Sequence, residues 1–133
     1  YIRNPSRVHG SKAFGPKPHK YTKKVNRKVK ILARKSILSQ KVLDNKLLVI
    51  DEFLLTSPKT KEFVSILKNL KIRNKKVTIL ADEVSENLFF GARNIKNICV
   101  IPATSASTYD LLDNQIILAD LASVKVLNKK LAN

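Results

Sequence analysis

Four short apolar runs in the second part of the chain constrain the fold more than any other feature. The runs are Leu47-Leu48-Val49-Ile50, Val77-Thr78-Ile79-Leu80, Ile98-Cys99-Val100-Ile101 and Ile116-Ile117-Leu118. Continuous apolar runs, without polar residues at alternate positions, are typical of strands that are covered on both faces in a parallel sheet. We therefore expect four buried strands, with Cys99 as a buried and unreactive thiol.

The intervals around these runs carry helix signals, which supply the crossovers that parallel strands require. Helix starts are indicated at Ser57-Pro58, Ser85, Ser107 and Asp120. Proline suits the first position of a helix, and Asp110 follows Ser107 at the spacing of a capping box. The helix after Ser85 should end near Arg93. Strands that alternate with helices predict an α/β fold, a three-layer α/β/α domain with a mostly parallel four-stranded sheet.

Positive charge is concentrated before the first apolar run. The net charge is +16, and residues 1–46, here called the basic limb, contain 14 of the 26 Lys and Arg residues but one acid. The limb therefore carries +13 and the remaining body, residues 47–133, carries +3. A limb of this kind favours nucleic acid or an acidic membrane surface. Because no stretch approaches the ~18 apolar residues of a spanning helix, and no apolar secretory segment begins the chain, we expect no membrane partner.

The basic limb divides into two parts. Residues 1–20 contain three of the five prolines and two of the three glycines, which predicts an extended basic arm that orders only against its partner. From Thr22 to about Lys41 the pattern becomes helical. Its predicted body-facing stripe consists of Val25, Val29, Leu32, Ala33 and Ser36. The predicted organisation is an arm at 1–20 and a globular α/β domain at 21–133 that begins with a basic amphipathic helix.

Acidic residues follow three of the runs, and an enzyme active site is one interpretation of them. They are Asp51-Glu52, Asp82-Glu83 and Asp120. Acids in such positions cap helices more often than they catalyse, and adjacent carboxylates on a strand point to opposite faces. The sequence has no Walker A or G-x-G-x-x-G motif, and His9 and His19 have no Cys or acidic companions. We expect no enzyme activity, no metal, no cofactor and no small-molecule substrate.

The arm and the following helix give the strongest functional signal, because cations alternate there with the aromatic residues Tyr1, Phe14 and Tyr21 and with His19. Such a pattern suits contact with phosphates and stacking on bases, although composition does not choose RNA over DNA. We expect stacking at Phe14, His19 and Tyr21. The full set of predicted binding residues is Arg3, Arg7, His9, Lys12, Phe14, Lys17, His19, Lys20, Tyr21, Lys23, Lys24, Arg27, Lys28, Arg34 and Lys35.

Several motifs resemble a known family. In order along the chain they are Phe14-Gly15-Pro16-Lys17-Pro18, Tyr21, Lys24-Val25-Asn26-Arg27-Lys28-Val29, Leu32 to Ser39, Pro58-Lys59-Thr60-Lys61, Glu86-Asn87-Leu88-Phe89 and Ala92-Arg93-Asn94. Together they resemble ribosomal protein four of the large subunit, the universal L-four family, over nearly the whole chain. The sequence departs from that family at Val8 to Lys12, where a Trp and a Gly pair are common, and at His19, where Arg is usual.

The resemblance implies the same three-layer fold and a structural role in the large ribosomal subunit, binding and organising rRNA beside neighbouring large-subunit proteins. It also implies a loop that reaches toward the peptide exit tunnel, of which residues 1–20 resemble the returning half. The location would be the ribosome, in a bacterial cytoplasm or an organelle. A regulatory RNA-binding protein that acts on messenger RNA through the same surface is the alternative. Because the sequence lacks Met and begins at Tyr1, we expect further residues upstream, including the loop tip.

Overall fold

A computed structural model describes residues 3–53 and 55–132, so the predicted role of Tyr1 lies outside the described residues. The strands are β1 (Leu47–Ile50), β2 (Val77–Ala81), β3 (Ile98–Pro102) and β4 (Ile116–Asp120). The helices are α1 (Arg27–Leu43), α2 (Thr60–Asn69), α3 (Glu86–Ala92), α4 (Thr108–Leu112) and α5 (Leu121–Ala132). All four predicted strands are present, each within two residues of its predicted bounds.

The strands form one parallel sheet in the order β1-β4-β2-β3. Every neighbouring pair is parallel, and β4 lies between β1 and β2, with Leu47 opposite Ile117 on one side and Val77 opposite Ile116 on the other. Residues of β2 and β4 are buried throughout, whereas β1 and β3 form the two edges and are partly exposed. The predicted mostly parallel four-stranded sheet is confirmed.

Side chains that alternate along each strand divide the core into two halves. On one face, Val77 and Ile79 pack with Phe63 of α2 and Leu88 of α3. On the other face, the core contains residues of β2 and β4 together with α1, α4 and α5, including Leu80, Ile117, Leu111, Leu127, Ile37 and Leu38. Helices therefore cover both faces of the sheet, which confirms the predicted α/β/α layers.

Three of the four predicted helix starts are confirmed. The Ser85 hydroxyl accepts the N–H of Leu88, and Ser107 and Asp110 form the complete capping box. The start at Ser57-Pro58 is wrong, because α2 begins at Thr60 after Lys59, which is in extended geometry. The Ser57 hydroxyl instead donates to the Glu62 carboxylate at 2.7 Å, so it does not accept a backbone N–H of the helix.

The start and the packing face of α1 also differ from the prediction. The helix begins at Arg27, not at Thr22, and the predicted stripe is largely exposed, with Val29 53% and Leu32 67% accessible. The body-facing side chains are Ile37 and Leu38 in the second half of the helix. The predicted stripe follows the apolar residues of the first half, where every residue from Arg27 to Lys30 is exposed and has no core to pack against.

Cys99 is exposed, which corrects the expectation of a buried thiol. The physical reason is the position of β3 at the edge of the sheet, where a continuous apolar run does not ensure cover on both faces. Partial burial nevertheless raises the pKa of the Cys99 thiol, which disfavours the reactive thiolate. Among the described residues, none of the helices combines the length and the apolar character that crossing a membrane requires.

Candidate nucleic-acid interface

Residues 3–11 of the basic limb form a compact turn held by local hydrogen bonds. The N–H of Arg7 donates to the carbonyl of Asn4 at 3.0 Å, and the N–H of Ser11 donates to the carbonyl of Arg3 at 3.1 Å. Gly10 is required there, because a Cβ at this position would lie 2.0 Å from the Asn4 carbonyl oxygen. That the rest of the arm orders only against a partner stays a prediction.

The predicted stacking side chains are open to solvent. Phe14 is 98% exposed, and the rings of His19 and Tyr21 lie 4.3 Å apart between centroids with a tilt of 53°. The Nδ1–H of His19 donates to the carbonyl oxygen of Lys17 at 2.9 Å, which fixes the ring relative to the backbone. Exposed ring faces of this kind are available to a base.

The predicted cations are also accessible and are not neutralised. Arg34 is half-buried, and all the other predicted binding residues are exposed. Within residues 3–53 and 55–132 the ion pairs are Lys46 with Asp44 and Lys76 with Asp113, so none of the predicted binding cations is paired with an acid. The first acid in the sequence is Asp44, beyond the end of α1. The limb therefore presents a surface of uncompensated positive charge.

Four cationic residues line one cavity between α1 and α5, and the apolar residues Ile31 and Leu131 complete the lining. Arg27, Lys30 and Arg34 are three and four residues apart and so lie on one side of α1, while Lys130 comes from α5. The cavity measures about 170 Å³, several times the ~30 Å³ that a water molecule occupies in the liquid. The Nζ of Lys130 donates to the carbonyl oxygen of Thr104, which holds that side chain in place.

The Arg34 guanidinium carries one buried polar atom. Its Nε has no hydrogen-bond partner among the residues that the structure describes. A buried donor without an acceptor is destabilising by about 1–3 kcal/mol. Because Nε is buried, an anion in the cavity would meet other atoms of the cationic side chains, and a cavity lined by four cationic residues is suited to a phosphate or another oxyanion.

The structure brings together only some of the predicted residues. Arg27 and Arg34 share the cavity, whereas Lys28 and Lys35 are not among its lining residues. The prediction missed Lys30 and Lys130. Lys30 follows Arg27 by three residues, so helical periodicity could have found it, but Lys130 joins the site only through the packing of α5 beside α1. No local sequence signal identifies it.

The acidic residues surround a different cavity, of about 700 Å³, at the carboxyl end of the sheet. The Asp120 carboxylate accepts the N–H of Ser123 at 2.9 Å and the N–H of Asp82 at 3.4 Å, so it caps α5 as the sequence indicates. Asp51 and Glu52 are exposed. In the described part of the chain, no group of three or more His, Cys, Asp and Glu side chains is arranged to hold a metal. The geometry of Asp120 is thus explained by helix capping.

Taken together, the parallel α/β/α body, the unpaired cations and the cavity between α1 and α5 define a class of basic α/β proteins with a surface suited to polyanions. Comparison with known proteins makes the assignment specific. The chain belongs to the Ribosomal protein L4/L1 family, whose sequence profile matches residues 1–130. The resemblance inferred from the motifs is confirmed.

Individual relatives agree with the family match. The chain is 40% identical to large ribosomal subunit protein uL4 of Phocaeicola vulgatus over 131 residues, covering 98% of this chain and 63% of that protein. It is 40% identical to the uL4 protein of Bacteroides thetaiotaomicron over 96% of this chain and 61% of that protein. For the uL4 protein of Chlorobium phaeovibrioides the identity is 41%, over 97% and 62%. The chain thus spans about six tenths of the length of these relatives.

Proposed function

We propose that this chain is a structural, rRNA-binding component of the large ribosomal subunit, in which the basic limb neutralises phosphates and the body fixes their position. The observation that carries the proposal is the cavity between α1 and α5, which four cationic residues line. The relatives named large ribosomal subunit protein uL4 supply the context, because they are similar over almost the whole chain.

Positioning is the mechanism that we propose, and no bond is made or broken. Arginine presents several N–H groups in a fixed plane, so a phosphate held at Arg34 adopts a defined orientation. Lysines along the remainder of the limb contribute charge with little directional preference. This mechanism needs no metal, cofactor or small-molecule substrate. We propose the ribosome, bacterial or organellar, as the location of the protein and neighbouring large-subunit proteins as its protein partners.

We further propose that residues 1–20 are the returning half of a loop that reaches toward the peptide exit tunnel. This proposal is supported by the absence of helix and strand from residues 3–20 and by the exposure of their cations and aromatic rings. The regulatory alternative, binding to messenger RNA, has no observation of its own in its favour, because the same basic surface would serve either RNA.

The proposal is tested by measuring the affinity of the full chain for a large-subunit rRNA transcript between 50 and 200 mM salt. If about seven of the predicted cations meet phosphates, the slope of log K against log salt should be near −5, using the single-strand coefficient of about 0.7 per contact. Affinity then falls roughly a thousandfold over this range. A slope near zero contradicts the proposal.

The contribution of the cavity is isolated with variants of Arg34. Arg34→Gln removes one cationic contact and should make the slope shallower by about 0.7. Arg34→Lys keeps the charge but removes the planar N–H donors, so affinity should fall several-fold at an unchanged slope. Lys68→Gln is the matched control, because Lys68 is an exposed cation of α2 and lies outside the cavity. If both Arg34 variants bind like Lys68→Gln, the cavity does not hold a phosphate.

A further inference from the structure

A second surface with unusual chemistry lies on the opposite face of the sheet from α1 and α5. Phe89 and Phe90 of α3 are 46% and 42% exposed, although large aromatic side chains are usually buried. Their rings meet edge to face, with centroids 5.8 Å apart. The Arg93 guanidinium lies over the Phe90 ring, 4.7 Å from its centroid, in a cation–π contact. Phe90 therefore holds the Arg93 side chain in a fixed position.

Phe89 and Arg93 form one wall of a groove of about 190 Å³ between α3 and the edge strand β3. The other wall is the strand itself, at Ile98, Cys99 and Val100. The groove is therefore open to solvent beside an aromatic ring, a guanidinium plane and a strand that is at the edge of the sheet formed by residues 3–53 and 55–132.

The backbone of β3 adds hydrogen-bonding groups to this groove. The N–H of Val77 donates to the carbonyl of Asn97, and the N–H of Ala103 donates to the carbonyl of Ala81. Because backbone groups alternate in direction along a strand, the N–H and C=O groups of Ile98 and Val100 point away from β2. Donors and acceptors thus face outward at the position where the groove opens.

Charge decides which class of ligand fits the groove. Residues 87–109 contain no acid, and their only formal charges are those of Arg93 and Lys96. The charges of Asp110 and Lys76 also act on Cys99 in the groove, but the Asp110 carboxylate already accepts the N–H and the hydroxyl of Ser107. Glu86, one turn before Phe89 and Phe90, is the nearest acid in the sequence on this helix. An unstacked base can stack on a flat ring or a guanidinium plane and can form hydrogen bonds with open backbone groups. Its phosphate is attracted by the local positive charge.

We propose that the groove between α3 and β3 binds a single unpaired nucleotide of RNA. The base lies against Phe89 and Arg93, and its phosphate meets Arg93 or Lys96. The proposal rests on the proposed function for the identity of the ligand, but it concerns a separate site. Because α3 and α1 cover opposite faces of the sheet, the protein would contact RNA on both faces and so hold two RNA segments at a fixed separation.

The test uses the full chain and the same rRNA transcript. Phe89→Leu keeps an apolar side chain but removes the stacking plane, and it should weaken binding roughly tenfold without changing the salt slope. Arg93→Lys keeps the charge, removes the guanidinium plane and should weaken binding several-fold. Tyr109→Leu is the matched control, since Tyr109 is an exposed aromatic residue of α4, on the other face of the sheet. Photocrosslinking mapped by mass spectrometry should place RNA on residues 89–100.

The outcomes separate this inference from the proposed function. A wild-type salt slope near zero means that the chain does not bind rRNA through its cations, and the proposed function fails with it. A slope near −5, with Phe89→Leu and Arg93→Lys equal to Tyr109→Leu and no crosslink at residues 89–100, overturns only the nucleotide site. Unchanged circular dichroism and melting temperature of both variants establish that an affinity loss does not come from unfolding.

Discussion

The basic limb and the body differ in how completely their polar groups are satisfied within the chain. In the limb, the cations before Asp44 have no acidic partner among the described residues, and nearly all of the limb before α1 is exposed. In the body, carboxylates are used internally, as Asp110 in a capping box and Asp120 at the start of α5. The body's polar groups therefore stabilise the fold, whereas the limb's cations remain available to a partner.

Helix α1 is the part of the limb that connects the binding surface to the body. Its first half presents Arg27 and Lys30 to the cavity, and its second half contacts the body through Ile37 and Leu38. Lys41 is the one buried cation of this half, and its Nζ donates to the carbonyl oxygen of Asn114. Burial lowers the pKa of Lys41, as does the nearby charge of Lys46. One helix therefore fixes the position of the binding surface relative to the sheet.

The largest expected effect comes from the same residue type placed in the two regions. Phe63→Ala should reduce the free energy of unfolding by about 3–5 kcal/mol, because Phe63 is fully buried against the sheet. Phe14→Ala should change it by less than about 0.5 kcal/mol, since Phe14 is almost fully exposed. Urea denaturation without RNA measures both. Similar losses for the two variants would mean that the limb packs on the body in solution.

The reverse experiment removes charge from the limb. Replacing Arg3, Arg7, Lys12, Lys17 and Lys20 by Gln should make the salt slope shallower by up to about 3.5 and leave the free energy of unfolding within about 0.5 kcal/mol. The affinity loss between 50 and 200 mM salt would then fall from roughly a thousandfold to roughly tenfold. The control replaces five exposed body cations, Lys61, Lys68, Lys71, Lys75 and Lys125. An equal change in slope for this control would contradict the proposal that the limb, and not the body, supplies most of the phosphate contacts.

How much could be predicted from the sequence differs between the regions for a physical reason. The four strands, the Ser107–Asp110 capping box and the Asp120 cap depend on neighbouring residues or on burial along a whole run, and all were predicted. The packing face of α1 depends on which half of the helix meets the body, so the stripe at Val29 and Leu32 was wrong. Lys130 is about one hundred residues from Arg27 in sequence, and only tertiary packing brings them to one cavity.

The exposure of residues at the edge of the sheet also could not be predicted from the local sequence. The run that contains Cys99 resembles the runs of the central strands, and the sequence does not state which strand is at the edge. The order β1-β4-β2-β3 arises from crossovers that place β4 between β1 and β2. Exposure of Cys99, and the groove beside Phe89, follow from that order and not from local composition.

A smaller effect is expected from the acids of the body. Asp120→Ala should reduce the free energy of unfolding by about 1–2 kcal/mol, because it leaves the N–H groups of Ser123 and Asp82 without their acceptor. Asp51→Ala at the same edge should have little effect, since Asp51 is exposed. Thermal or urea unfolding compares the two. If Asp120→Ala unfolds like the wild type, the carboxylate is not a structural cap.

The smallest expected effect is on the pH dependence of stability, which should differ between the two regions. Hydrogen bonds from the Ser107 hydroxyl and backbone N–H lower the pKa of Asp110 below its ordinary value of 3.8. Because the folded protein favours the carboxylate, the contribution of Asp110 to stability is present above pH 3.8 and is lost as the pH falls through the lower, folded-state pKa. Asp110→Ala should therefore be less stable by at most about 1 kcal/mol at pH 7, and this gap should close in acid.

Equilibrium unfolding from pH 7 to pH 2 tests this expectation, and a gap that stays constant to pH 2 would contradict it. Acid should thus weaken the carboxylate contacts that stabilise the body. The limb has few such contacts to lose, because Asp44 is its single acid. The two regions would then respond to pH as differently as they respond to salt, because carboxylates stabilise one region and cations dominate the other.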